Sequence, residues 1–199
     1  MRGSPYTLAL KPEIYQLWFG KQGSDHCGMG KMLKRWDESA NSRCPNWGML
    51  NKDAGHLNRC TNNDRWLMLI KSIKEIKEWI IKNSTYPKFI EWVPQYLSRQ
   101  GKAKCVELGN MSPMMRCVGV AQDNIRWRDF IEGKITESMR NLQELWLLSE
   151  PACLTIDAWM RGLIEKLLTL THSQWIFRNI TKHHHTNRTI KLEAKQDVM

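Results

Sequence analysis

Three residues in one short stretch, Cys44, His56 and Cys60 of CPNWGMLNKDAGHLNRC, have the types and the spacing that hold a metal. A structural zinc site takes four soft or borderline donors in a tetrahedron, commonly two cysteines at C-x2-C and then a distal His and Cys about a dozen residues on. This chain supplies three of the four. The place of the second cysteine holds Trp47, whose indole carries a donor N–H and no lone pair for a metal. Zinc is the one cofactor the pattern suggests, and the missing donor weighs against its being held. Cys27 lies seventeen residues before Cys44, too far for a knuckle half, so it or His26 would replace the donor only if the chain folded back.

Cations travel with these ligands. Lys31, Lys34 and Arg35 fall at i, i+3 and i+4, which places three positive charges on one face of a helical turn. With Arg43, Lys52 and Arg59 they are the candidate contacts to phosphates, and Trp36 or Trp47 would stack on single-stranded bases. Catalysis finds less support. The chain has no paired-aspartate polymerase motif, no glycine-rich phosphate loop and no H-E-x-x-H, and it lacks the alternation that a small nuclease sheet requires. Cys105, Cys117 and Cys153 have no histidine near them in sequence. No enzyme is expected.

The elements that must position these residues are helical. Residues 1–14, with Gly3, Pro5 and Pro12, form a loose lead-in, and MRGS resembles an expression leader. From Asp64 to Lys82 the residues Trp66, Leu69, Ile70, Ile73, Ile76 and Ile80 follow the helical period, with Asn62 or Asn63 as cap. Pro87 opens a shorter helix that Pro94 is expected to kink or end near Trp92. Residues 98–112, rich in Gly, Lys and Ser, are the candidate linker and the only internal boundary. Ser112-Pro113 starts a helix striped by Met115, Val118, Ala121, Gln122 and Ile125 and closed by Trp127, Phe130 and Ile131 before Gly133. Thr136 and Glu137 open another through about Leu148, and Thr155 to about Thr181 is the longest, with Arg178 at its end complementing the helix dipole. The expected architecture is all-α: a basic, knuckle-like segment 1–62, a multi-helix bundle 63–185 and a frayed polar tail 186–199.

Of the 199 residues, 42% are apolar and 25% charged, close to globular averages. That length suits one ordinary domain. Six cysteines without a signal-like N-terminus point to reduced thiols inside a cell, in cytoplasm or nucleus. No apolar run approaches the ~20 residues needed to cross a bilayer, and no membrane is expected as a partner. The net charge of +10 is uneven: residues 1–60 carry +4, 61–105 carry +5, 106–150 carry −2 and 151–199 carry +3. Clustered Lys and Arg beside a knuckle pattern are the electrostatic footprint of phosphate-backbone binding.

A family pattern runs through the same residues. Gly20-Lys21-Gln22, His26-Cys27-Gly28, Gly30, Lys34-Arg35-Trp36, Cys44-Pro45, Trp47-Gly48 and His56-Leu57-x-x-Cys60 are its N-terminal anchors. Ala121-Gln122, Ile125, Trp127, Phe130, Gly133 and Ser173-Gln174-Trp175-Ile176-x-Arg178-Asn179 with His183 continue it. Together they resemble the zinc-binding helical tail that follows the polymerase region in reverse-transcriptase polyproteins of retroelements, over about residues 15 to 185. Where that family has CPxC, this chain has Cys44-Pro45-Asn46-Trp47, the mark of a degenerate copy. The resemblance implies a retrotransposon origin, an upstream polymerase domain as partner and a non-catalytic module holding RNA or DNA. The alternatives are a helical protein-interaction scaffold, which calls for an exposed apolar patch, and a relic of a mobile element with no function.

Overall fold

A computed structural model describes residues 38, 58–60, 62–109, 111–150 and 154–187, with side chains as far as Arg178. The protein is all-α: α1 (Asn63–Lys82), α2 (Pro87–Ser98), α3 (Pro113–Ile131), α4 (Glu137–Ser149) and α5 (Ile156–Asn187), with a 3-10 turn at Cys105–Glu107 and no strand among the described residues. It divides into two compact units, one of residues 1–68 with 172–199 and one of 69–171. The segment 98–112, expected as a linker, lies inside the second unit, and Cys105 within it is fully buried.

The helix starts are set locally. Asn62 Oδ1 accepts from Arg65 N at 3.2 Å, Ser112 Oγ from Met115 N at 3.3 Å and Thr155 Oγ1 from Ala158 N at 3.3 Å, each satisfying an amide left without a helical acceptor. Pro87 takes the first position of α2, where it has no bond to lose. Pro94 does not end that helix. Phe89, Trp92, Val93, Tyr96 and Leu97 are all buried on one face running past it, and their burial outweighs the one backbone bond that Pro94 removes.

Two other expectations are corrected. α3 is broken at Arg126, whose φ of 71° and ψ of 157° are not helical. Met115, Val118, Gly119 and Gln122 are buried before the break, and Trp127, Phe130 and Ile131 after it. A stripe continued in phase would have buried Ile125, which is only half-buried. α5 runs to Asn187, nine residues past Arg178, so Arg178 does not cap a helix end; it is 5% exposed within the helix.

Within the 69–171 unit the core is aromatic. Trp159 of α5 is fully buried, donates from Nε1 to Thr85 Oγ1 at 2.8 Å, and lies 6.2 Å from the Trp79 ring and 6.5 Å from Phe89. Trp92 stacks on Tyr96 at 5.2 Å, and Phe130 meets both rings. A Cβ on Gly162 would lie 2.2 Å from Trp79, so only glycine lets that indole reach α5. The loop between α1 and α2 is held by buried Gln143 of α4, which accepts from Tyr86 N at 2.9 Å and donates to Ser84 O at 3.0 Å. Such a bridge satisfies two backbone groups that no helix pairs.

In the other unit, buried Arg65 and Gln174 are joined in both directions. Arg65 Nε donates to Gln174 Oε1 at 3.1 Å and Arg65 Nη2 to Gln174 O at 3.0 Å, while Gln174 Nε2 donates to Arg65 O at 3.2 Å. A buried guanidinium is costly unless its donors find acceptors, and Gln174 supplies them for Nε and Nη2.

Candidate nucleic-acid interface

Of the residues expected to hold metal or phosphate, Arg59 and Cys60 fall within the described residues. Arg59 is exposed and Cys60 is buried, 3% exposed. Cys44 and His56, and the cations Lys31, Lys34, Arg35, Arg43 and Lys52, lie outside them, as does Trp47. The donor set itself remains three groups and a tryptophan, one short of a tetrahedral zinc site. Among the described residues no three His, Cys, Asp or Glu side chains are grouped to hold a metal.

The described residues carry a cationic surface of their own. α1 buries Leu69, Ile73, Ile76 and Ile80 and by the helical period turns Lys71, Lys74, Lys77 and Lys82 outward, all exposed. Arg99 and Lys102, just after α2, are exposed as well. Pairing is unequal along the chain. Arg128 Nε meets Glu132 at 2.9 Å, Arg140 meets Glu144 at 3.1 Å and Asp157 at 3.7 Å, Arg126 meets Asp129 at 3.5 Å, and Lys134 also reaches Asp129. In α1 and α2 the pairs are Lys74–Glu78 at 3.9 Å and Lys88–Glu91 at 3.6 Å, both between well-exposed side chains. Lys71, Lys77, Lys82, Arg99 and Lys102 have no ion pair among the described residues.

The sequence-predicted phosphate contacts lie in the first sixty residues, and the α1 lysines are a second set. Acid content separates both from the later helices: 106–150 has a carboxylate for each cation, 1–60 and 61–105 do not. The proportions were legible; which cations remain unpaired depends on helical register and rotamer.

Burial holds the Cys105 thiol and the Tyr96 hydroxyl well above their ordinary pKa values, which leaves both protonated and unreactive at neutral pH. Desolvation lowers the pKa of His172, whose ring stacks on Trp175 at 5.9 Å. A cleft beside Trp92, Leu108 and Met115 encloses about 90 Å3, small against the several hundred Å3 of an ordinary ligand pocket. No described helix is long and apolar enough to cross a membrane.

Comparison with known proteins finds no matching family model, no matching curated protein and no matching solved structure. The class that the structure defines is an all-α protein in which helix α1 carries a cationic surface.

Proposed function

We propose that the chain is a non-catalytic nucleic-acid-binding module, similar to the tail of a retroelement reverse transcriptase, that holds RNA or DNA beside a polymerase domain. The observation that carries this reading is the unequal pairing of charge. Among the described residues Lys71, Lys77, Lys82, Arg99 and Lys102 stand exposed without ion pairs, while Arg126, Arg128 and Arg140 of α3 and α4 each meet a carboxylate. Exposed, unpaired cations are the groups that a phosphate backbone neutralises with release of its counterions. Lys31, Lys34, Arg35, Arg43, Lys52 and Arg59 add to the same charge.

The test is fluorescence anisotropy of labelled single-stranded RNA and DNA with the reduced protein at a series of salt concentrations. Affinity should fall steeply with salt, with a log–log slope of about −0.7 for each phosphate neutralised on a single strand. Replacing Lys71, Lys77 and Lys82 together by Gln should flatten that slope by about 2. Absence of binding at low salt, or an unchanged slope in the triple variant, would overturn the assignment.

A further inference from the structure

Two outward helix faces in the 69–171 unit carry apolar side chains that the fold leaves uncovered. On α1, Ile70 is 39% and Ile81 53% exposed. At 100° per residue these two and the exposed Lys74 and Lys77 fall within about 60° of arc, a narrow flank beside the core stripe. Glu75 and Glu78 lie outside that arc. The flank therefore reads apolar, cationic, cationic, apolar over three turns.

On α4, Leu145 is 61% and Leu148 80% exposed. They share the outward face with Glu137, Asn141 and Glu144. This face is apolar and acidic. Arg140 beside it is engaged with Glu144 and Asp157, whereas Glu137 has no ion pair among the described residues. Ile70 to Ile81 and Glu137 to Leu148 each span eleven residues, about 16 Å of helix.

We propose that the α1 flank of one copy docks on the α4 face of a second copy, giving head-to-tail association. Charge selects this occupant. Two α1 flanks laid together would bring Lys74 and Lys77 against the same lysines in either sense, and two α4 faces would set glutamate against glutamate when parallel and Glu137 against Leu148 when antiparallel, whereas α1 against α4 brings a lysine to Glu144. The lengths also agree. With the helices packed in either sense, one terminal isoleucine falls opposite Leu148 and near Leu145, the lysines fall near Asn141 and Glu144, and the other isoleucine lies over the stem of Glu137. Because the two surfaces are different, the contact is heterologous: each copy that joins leaves one face of each kind free. The patches are small, so the contact is weak and concentration-dependent.

Sedimentation velocity of the nuclease-treated, reduced full chain over a concentration series tests this, with far-UV circular dichroism as the control for folding. The mean sedimentation coefficient should rise with concentration, and less so at high salt. Ile81→Glu blocks one face and Leu148→Glu the other, and both replace exposed side chains. Each variant alone should sediment as a monomer, and an equimolar mixture of the two should give a one-to-one complex and nothing larger, joined by the two unaltered faces. A wild-type monomer at every concentration would overturn the proposal. So would association that persists in either single variant, or two blocked variants that fail to combine.

Discussion

At the scale of single residues, the cysteines separate by environment. Cys105 is fully buried. Its amide donates to Asp123 at 2.7 Å, and its thiol is pushed up by burial, opposed by a hydrogen bond with Tyr96 and with the Asp123 carboxylate adding to the rise. Cys117 is exposed on α3. Since the thiolate is the nucleophile, iodoacetamide at neutral pH should label Cys117 in the native protein and leave Cys105 unmodified until denaturant is added, as peptide mass mapping would show. Labelling of the two at similar rates would mean that the wall around Cys105 opens. The shift also has a pH sign. The folded pKa lies above that of the unfolded chain, so the stability linked to Cys105 is fully present below the unfolded value of roughly 8.5. It is lost as the pH rises beyond that, because only the unfolded chain releases the proton. The alkaline fall in urea midpoint should accordingly be shallower in Cys105→Ala, with Tyr96 supplying what remains.

At the scale of elements, the break in α3 stands out as a local conflict. Arg126 adopts φ 71° with ψ 157°, a region open to glycine that costs other residues about 1–3 kcal/mol. Among the described residues its compensation is an ion pair with Asp129 at 3.5 Å, from an arginine side chain 81% exposed, and exposed pairs contribute about 0–1 kcal/mol. Asp129 keeps Lys134 as partner. Arg126→Gly should therefore stabilise the protein by about 1 kcal/mol after the greater entropy of an unfolded glycine is subtracted. Urea unfolding would show a higher midpoint at unchanged m-value. A lower midpoint would mean that α3 runs unbroken through Arg126.

Much of the helical plan was readable before the structure, because its causes are local. Leu69, Ile73, Ile76 and Ile80 of the α1 stripe, the Asn62 cap, Pro87 at a first turn and Ser112-Pro113 each depend on residues within four positions of one another, whereas Trp66 and Ile70, expected in the same stripe, are each 39% exposed. The failures have non-local causes. α2 continues through Pro94 because its buried face meets aromatic partners from α3 and α5. The phase jump at Arg126 follows from packing on both sides of the break. Gln143 and Gln174 read as polar helix residues, yet one holds a loop 57 residues away and the other an arginine 109 residues away. The lysines of α1 were visible as a cationic face; their lack of partners was not, because pairing is decided by side-chain geometry.

At the scale of the whole molecule, the net charge of +10 sets folding against self-repulsion. The surface pairs Lys74–Glu78, Lys88–Glu91, Arg128–Glu132 and Arg140–Glu144 each contribute only about 0–1 kcal/mol. Screening by salt therefore removes more repulsion than attraction, and the thermal midpoint of the free protein should rise as salt is added. A nucleic acid bound to the folded chain acts in the opposite sense. It raises the midpoint by mass action, and salt removes that gain by competing for the same phosphates. Thermal unfolding with and without single-stranded RNA should give two curves of midpoint against salt, far apart at low salt and converging as it increases. If the free protein lost stability with salt, attractive pairs would dominate its electrostatics despite the excess of cations. If the two curves stayed parallel, the RNA would be held by contacts other than those to phosphate, and Lys71, Lys77, Lys82, Arg99 and Lys102 would not be what binds it.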